Sequence, residues 1–537
     1  MNRTITRSVI GVAGVLMVRM AVVPAVQTQN AAPAASGPVQ LSRDEDFART
    51  RGLLGIDTPP PAGAVSSSPD TFNESVANPF PTLPDPLKMN NGQRVTSAAM
   101  WRDQRRPELI EVFEREIYGR TPKVTPKVTW TVLSTANEMN GNVPVITKQL
   151  NGHVDNSAFP GITVNLKASV STPAGATGPV PVILSFTPGG GFGRGRGGAD
   201  AAPPPAFPLT SSCGVTAPPP TPAAGAPGAG RAQGAAAVPG AARGAAGPGA
   251  GGVAAAPGAA RGPAAPSGPT NQQQALALGW GYASLETASV QADNAQSLTC
   301  GIIGLVNKGQ PRKVDDWGVL AAWAWGASRT LDYFETDKAV DATRIGMYGH
   351  SRWGKATLLA SVLDTRFAIA YVSSSGQGGA KLHRRKYGET VDNVASTFYY
   401  WMAGNYIKYA GKWDSIPVDS HELVALMAPR PVFLSVGNDP QKNLDGTIAT
   451  SVNAQGQTVV AQVYDAWADP KGSFLAAAAA APVYELLGKK GLGIKDFPAV
   501  DTKVITGDIG FHQHPGGHVS GPAWETFYTF ASRHLKK

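Results

Sequence analysis

The chain has 537 residues, of which 42% are hydrophobic, and a formal net charge of +9. This apolar content is enough for a large core, and α/β enzymes often reach such lengths as one catalytic domain. A positive charge would fit an anionic partner, but the sequence has no long Lys/Arg block and no alternation of aromatic and basic residues. We therefore expect no nucleic-acid partner.

The first 30 residues have the pattern of a secretory signal. Arg3 and Arg7 precede an apolar run at 9–18, a second apolar stretch spans 20–26, and polar residues follow. This pattern predicts a signal peptide at 1–30 and a secreted or periplasmic protein. No later segment has the roughly 20 apolar residues that span a bilayer, so we expect no integral membrane segment after removal of the signal.

Composition divides the remainder into a linker and a catalytic domain with two inserts. Residues 31–70, rich in Ala, Pro and Ser, are predicted to be a linker, and 71–537 to be the catalytic domain. Residues 188–269 consist almost wholly of Gly, Ala, Pro and scattered Arg. Such a segment buries too little apolar area to offset its ordering entropy, so we expect it to be disordered. A second, polar insert is predicted at 440–463.

The chain has two cysteines, Cys213 and Cys300. They could pair in an exported protein, but Cys213 lies in the low-complexity insert, so we favour unpaired thiols. No Cys/His cluster has the spacing of a structural zinc site. We predict neither a metal nor a cofactor.

Apolar runs and helical periodicity alternate along the catalytic domain. Strands are predicted at 127–133, 162–170, 180–186, 282–285, 345–348, 367–372 and 431–436, and helices at 98–118, 315–333, 356–363 and 523–535. Strands separated by helices predict a mostly parallel central sheet with helices on both faces.

The segment around Ser351 resembles the nucleophile elbow of α/β-hydrolases. A strand at 345–348 meets a glycine-flanked turn with Ser351 at its tip, and a helix follows at 356–363. The spacing is G-x-S-x-x-G, whereas the usual elbow is G-x-S-x-G. The alternative is a turn in which Ser351 only caps the helix. We favour the elbow, because a strand precedes the turn, a helix follows it and a suitable histidine lies downstream.

A serine nucleophile needs a histidine base, which follows it in this fold class. The segment 511–519 is glycine-rich and precedes the last helix, and we predict it to be a loop. His518 is our choice of base, because its glycine neighbours allow close approach to the serine. His514 is interpreted as a surface loop residue, and His512 as a structural or substrate contact.

The acid that orients the base has three candidates. Asp439 closely follows a core strand, which is the usual position. Asp465 and Asp469 lie beyond the polar insert 440–463. Composition does not choose among the three.

Several motifs resemble those of bacterial glucuronoyl esterases, carbohydrate esterase family 15. They are Gly-His-Ser-Arg-Trp-Gly-Lys at 349–355, Asp-Asp-Trp-Gly at 315–318, Ala-Trp-Ala-Trp-Gly at 322–326, Ala-Pro-Arg-Pro-Val at 428–432, Trp-Ala-Asp-Pro-Lys-Gly at 467–472 and Gly-Gly-His at 516–518. The resemblance runs from about residue 72 to the end, apart from the inserts. It implies an α/β-hydrolase fold and cleavage of the ester between 4-O-methylglucuronic acid on xylan and lignin alcohols.

The same resemblance implies catalytic roles. Ser351 would be the nucleophile, His518 the base, and Arg352 the side chain that stabilises the oxyanion. Some members carry a glutamate after the strand that follows the elbow, where this chain has Ser374, which cannot act as the acid. Members without that glutamate place the acid two residues before the tryptophan of Trp-Ala-Asp-Pro, which is Asp465.

The resemblance also implies a sugar pocket. Lys355 and Glu389 would bind uronate hydroxyls, and the Trp467 indole would pack along the sugar ring. Each residue has a simpler alternative, namely a solvated helix lysine, a surface glutamate and a core tryptophan.

The leading hypothesis is a secreted, monomeric serine esterase that acts on glucuronoxylan–lignin esters. A second hypothesis keeps the triad but changes the substrate to an acetyl or feruloyl ester. A third is a catalytically inactive, carbohydrate-binding homologue.

Overall fold

The computed structural model describes residues 37–535, apart from residues 62, 64, 67, 189–267, 441, 444 and 463. The predicted signal peptide and nearly all of the predicted insert 188–269 lie outside the described residues. The described residues form one unit.

A ten-stranded sheet organises the domain, in the order β1-β2-β3-β5-β4-β6-β7-β8-β12-β11, and β9 and β10 form a separate hairpin. The strands of the described part are β1 (Val128–Asn140), β2 (Val143–Val154), β3 (Asn165–Pro173), β4 (Val180–Thr187), β5 (Gly281–Glu286), β6 (Val340–His350), β7 (Phe367–Ser373), β8 (Val432–Gly437), β9 (Thr450–Val452), β10 (Thr458–Val460), β11 (Lys503–Val504) and β12 (Ile509–His514).

The sheet is parallel in its centre and antiparallel at both edges. The strands from β5 through β4, β6, β7 and β8 to β12 pair in parallel. The pairs β1–β2, β2–β3, β3–β5 and β11–β12 are antiparallel. The central strands β4, β7 and β8 are almost wholly buried, as expected of parallel strands covered on both faces.

Helices cover both faces of this sheet. They are α1 (Arg43–Leu53), α2 (Ala98–Met100), α3 (Arg106–Val112), α4 (Asn271–Ala277), α5 (Thr287–Val290), α6 (Gly301–Val306), α7 (Val319–Phe334), α8 (Arg352–Leu363), α9 (Val391–Thr397), α10 (Ser420–Ala425), α11 (Pro470–Leu486) and α12 (Trp524–Ala531). Strand β4 shows the two layers, because Val182 and Leu184 pack in the cluster that includes α7 and α8, whereas Ile183 packs in the cluster that includes α12.

The predicted helix at 98–118 is confirmed as a continuous helical run. Short α-helical segments alternate in it with π-helical turns at Trp101–Arg105 and Phe113–Tyr118. The predicted apolar side is buried, with Trp101 and Phe113 each less than 3% exposed.

Part of the predicted linker is helical. Helix α1 begins with a capping box formed by Ser42 and Glu45. Its Phe47 ring packs against Tyr399, with ring centroids 4.7 Å apart. The Tyr399 hydroxyl donates to Asp46 over 3.0 Å. This segment therefore belongs to the folded unit.

Two further predictions concern the cysteines and the membrane. Cys300 is disulfide-bonded, contrary to the unpaired thiols favoured from the sequence, whereas Cys213 lies outside the described residues. Within the described ranges, the structure contains no helix long and apolar enough to cross a bilayer.

Candidate active site

The strand–turn–helix around Ser351 has the predicted elbow geometry. Strand β6 ends at His350, α8 begins at Arg352, and Ser351 between them has φ 63° and ψ −130°. A positive φ is strained for a residue with a Cβ and is typical of functional sites. The Ser351 side chain makes no capping bond, so the helix-cap alternative is wrong. A Cβ on Gly349 would lie 2.2 Å from the Trp353 carbonyl oxygen, which explains the glycine there.

His518 reaches the elbow from the loop after β12. Its ring centroid lies 4.2 Å from that of His350, the neighbour of Ser351. Its Nδ1 lies 2.9 Å from Asp465 Oδ1. The Asp465 side chain is fully buried, while that of His518 is 35% exposed. Because Nδ1 faces the carboxylate, Nε2 is the nitrogen left for proton exchange.

The polar insert brings Asp465 to the end of β8. The Asp465 amide donates to the Asn438 carbonyl over 3.3 Å, so the two ends of the insert meet. Asp465 Oδ2 accepts from the Gly437 amide over 2.8 Å and from the Ser374 hydroxyl. A Cβ on Gly437 would lie 2.7 Å from the Asp465 Cβ, so only glycine allows this approach.

The other two candidate acids have different surroundings. Asp469 caps α11 by accepting from the Gly472 amide over 2.9 Å, and its Oδ2 lies 2.7 Å from Arg385 Nε. Burial raises the pKa of the Asp439 carboxyl, whose side chain contacts Gln513. Among the described residues, Asp465 is the one of the three candidates that contacts His518.

The Arg352 guanidinium lies beside the elbow and is held on several sides. Its Nη1 donates to Asp293 Oδ2 over 2.6 Å. Its central carbon lies 5.8 Å from the Trp353 ring centroid and 5.5 Å from that of Trp401. The side chain is 30% exposed, which leaves it open to a bound molecule. Asp293 was not predicted from the sequence.

Lys355 and Glu389 form a buried ion pair, 1% and 4% exposed. The Lys355 ammonium donates to Glu389 Oε2 over 2.7 Å and to the carbonyls of Ser375 and Gln377 over 2.7 and 2.6 Å. Burial lowers the pKa of Lys355, and the Glu389 charge opposes that shift. The alternatives of a solvated lysine and a surface glutamate are therefore wrong.

Trp467 links this ion pair to the histidine. Its ring centroid lies 4.9 Å from that of His518 and 5.8 Å from Lys355 Nζ. Its carbonyl accepts from the Glu389 amide over 2.8 Å. The indole is only partly buried, unlike a core tryptophan. The structure thus brings together all seven side chains proposed from the sequence, namely Ser351, Arg352, Lys355, Glu389, Asp465, Trp467 and His518.

The interpretation of His514 as a surface loop residue is wrong. Residues 509–514 form the buried strand β12, and His514 is 0% exposed. Burial lowers the pKa of His514 to about 4. His512 is a structural contact, with Nε2 2.9 Å from Asp501 Oδ1. The glycines after Pro515 pointed to a loop, but the alternating Ile509 and Phe511 indicate a strand.

Two residues with site contacts were missed or undervalued. Asp293 lies between β5 and α6, and its order in the chain gives no signal that it reaches Arg352. Ser374 was noted only because it stands where some family members carry the catalytic glutamate, but its hydroxyl donates to Asp465. Within the described ranges, no group of three or more His, Cys, Asp or Glu side chains is placed to hold a metal ion.

Known proteins resemble the chain over most of its length. Residues 312–467 match a family described as fungal glucuronyl esterase. The chain is 32% identical over 480 residues to Carbohydrate esterase MZ0003 from an unknown prokaryotic organism, covering 88% of this chain and 94% of that protein.

Solved structures agree with this relationship. A carbohydrate esterase family 15 glucuronoyl esterase from Teredinibacter turnerae T7901 is 32% identical, with a TM-score of 0.69 and coverage of 92% of this chain and 100% of that one. A promiscuous family 15 esterase from a marine bacterial metagenome is 28% identical, with a TM-score of 0.63 and coverage of 86% and 100%. The predicted α/β-hydrolase fold is confirmed. The chain is a carboxylic ester hydrolase and belongs to carbohydrate esterase family 15, the glucuronoyl esterases.

Proposed function

We propose that the protein is a secreted serine esterase that cleaves the ester between 4-O-methylglucuronic acid of glucuronoxylan and a lignin alcohol. The observation that carries the proposal is the contact between His518 and the buried Asp465, with the His518 ring 4.2 Å from that of His350, the neighbour of the strained Ser351. This geometry supports acyl transfer, which needs a nucleophile, a base and an orienting acid together. Secretion rests on the predicted signal peptide.

The first half of the reaction forms an acyl-enzyme. The Ser351 hydroxyl oxygen attacks the ester carbonyl carbon while its proton moves to His518 Nε2. Asp465 faces Nδ1 and stabilises the imidazolium that results. The tetrahedral intermediate then collapses, the bond to the alcohol breaks, and His518 returns the proton to the leaving oxygen. Water, activated by the same histidine, releases the uronic acid in the second half.

Negative charge develops on the carbonyl oxygen during both halves. The Ser351 amide donates to the Ser373 carbonyl and is not available to this oxygen. Among the described residues, backbone amides at the start of α8 and the Arg352 guanidinium are donors that lie near the elbow. A fixed cation at this place stabilises the oxyanion more strongly than the ester ground state, which raises kcat.

The uronate pocket is assigned to Lys355, Glu389 and Trp467. All three protons of the Lys355 ammonium already have acceptors. Glu389 Oε2 is bonded to Lys355 and to the Gln377 amide, while Oε1 has no hydrogen bond within the described part. Glu389 Oε1 is therefore the acceptor available to a sugar hydroxyl, and Lys355 fixes its orientation.

The test compares benzyl glucuronate with an aryl acetate, using the Ser351→Ala variant as the blank. A site that hydrogen-bonds the sugar should favour the uronate ester by at least about 10²-fold in kcat/KM, after correction for intrinsic reactivity. A preference for the acetate would replace the proposal by a general or acetyl esterase. Binding of glucuronoxylan without turnover of either ester would indicate an inactive homologue.

Turnover of the acetate alone does not decide the matter. One structural relative is described as a promiscuous esterase. The measured ratio between the two substrates therefore carries the test, rather than the presence of a rate on either.

A further inference from the structure

We propose that Asp293 is a positioning residue that holds Arg352 ready for the oxyanion. The inference rests on the oxyanion role proposed for Arg352 and extends it to a residue in another part of the chain. Asp293 lies 59 residues before Arg352 and meets it through an ion pair of 2.6 Å between Oδ2 and Nη1.

Asp293 is itself fixed from the opposite side. Its Oδ1 accepts from the indole Nε1 of Trp401 over 2.6 Å. Its backbone carbonyl accepts from the Tyr400 hydroxyl over 3.4 Å. Each carboxylate oxygen therefore has its own donor, and rotation of the carboxylate would break one of the two bonds. The segment that carries Trp401 thus sets the direction in which Asp293 presents its charge.

Trp401 restrains the arginine a second time. The guanidinium carbon lies 5.5 Å from the Trp401 ring centroid and 5.8 Å from that of Trp353, at distances of cation–π contacts. Within the described part, Arg352 Nη1 makes a hydrogen bond and Nε and Nη2 make none. Asp293 and the two indole rings therefore hold the guanidinium through Nη1 and its ring contacts. Nε and Nη2 remain free to donate to an incoming oxygen.

Two physical effects compete in this arrangement. Asp293 reduces the positive potential around Arg352, which weakens an oxyanion contact. It also removes the rotamer freedom of a long side chain before the reaction, so that no ordering is needed in the transition state. The two side chains are 30% and 28% exposed. Water screens the effect of the Asp293 charge on the potential at the oxyanion strongly, because the pair is partly exposed. Screening does not change the direction in which the hydrogen bond holds the guanidinium. We therefore expect the gain from orientation to exceed the loss of positive potential.

The test is a double-mutant cycle on benzyl glucuronate with Asp293→Asn, Arg352→Ala and the double variant. Asp293→Asn preserves shape but removes the charge and places an amide donor near the guanidinium. We expect kcat to fall about 10- to 30-fold, with KM within about twofold. In the Arg352→Ala background, Asp293→Asn should cause no further loss, because it acts through the arginine.

Two controls separate positioning from general damage. Trp401→Phe keeps a ring over the guanidinium but removes the indole donor, and we expect a smaller loss in kcat that also vanishes without Arg352. Asp332→Asn removes a carboxylate that pairs with Arg329 and Arg366 near the end of α7, and kcat should stay at the parent value. Melting temperatures confirm that each variant is folded.

The outcomes distinguish the inference from the function on which it rests. If Arg352→Ala lowers kcat but Asp293→Asn equals the parent, Asp293 does not position the arginine. Losses that multiply in the double variant would also overturn the inference, because they assign Asp293 a separate structural effect. If Arg352→Ala itself leaves kcat unchanged, the oxyanion role fails, and the role of Asp293 fails with it.

Discussion

Replacing Glu389 by Gln removes the counter-charge of a lysine that is almost fully buried. Lys355 is 1% exposed, and two backbone carbonyls would remain as its partners. Breaking a buried ion pair from one side usually costs about 3–5 kcal/mol. Because both carbonyls stay in place, we expect Glu389→Gln to lower the free energy of unfolding by about 3 kcal/mol at pH 7.

Deprotonation of Lys355 sets an upper limit, or ceiling, on that loss of stability. If Lys355 gives up its proton in the folded variant, the cost at pH 7 is about 4.6 kcal/mol, because the unfolded lysine has a pKa of about 10.4. The unfolded variant then binds one proton more than the folded variant. Stability therefore rises with pH, and the ceiling falls by about 1.4 kcal/mol per pH unit. The deficit relative to the parent should shrink between pH 7 and pH 9.

Urea unfolding followed by tryptophan fluorescence measures these differences. The double variant Lys355→Met/Glu389→Gln removes the uncompensated charge and should recover at least half of the loss, although its uronate binding stays impaired. Glu335→Gln is the matched control, because Glu335 pairs with Arg366 at the surface and should change stability by less than about 1 kcal/mol. A loss below about 0.5 kcal/mol for Glu389→Gln, or a deficit independent of pH, would refute the reasoning.

Four further variants test the catalytic assignment through kcat on benzyl glucuronate. Ser351→Ala should lower kcat by about 10⁵-fold or more without shifting the melting temperature, and activity near the parent value would exclude it as nucleophile. Asp465→Asn should lower kcat by about 10⁴-fold while Asp439→Asn stays close to the parent, and the reverse order would move the acid to Asp439. Ser374→Ala removes one of two donors to Asp465 Oδ2 and should lower kcat about tenfold; an unchanged kcat would make that contact purely structural.

The sequence was most informative where a local pattern fixes the backbone. A buried strand, glycines at a tight turn and a following helix leave Ser351 little choice of conformation, and its strained φ follows from that pattern. The position of Asp465 needed one more step, namely that the ends of a looped-out insert meet. The hydrogen bond between the Asp465 amide and Asn438 has that geometry. The catalytic roles of both residues stay predictions.

Contacts between distant segments were not predictable from local pattern. Asp293 and Arg352 are joined by a single ion pair between a loop and the start of α8, and neither periodicity nor composition marks such a pair. The His514 strand was missed because glycine and proline just beyond it dominated the interpretation. Helix α1 was missed because its apolar side is short, and it depends on packing against Tyr399 more than on its own pattern.

The docking of α1 has a consequence for the timing of synthesis. Arg43 in this helix donates to the Ser396 carbonyl, 353 residues further along the chain. At about 5–20 residues per second, the helix leaves the ribosome roughly 20–70 s before its partner is made. A helix of 11 residues is marginal in water on its own. Helix α1 is therefore made well before the segment it packs against, and it can reach its native place only after residue 396 has been synthesised.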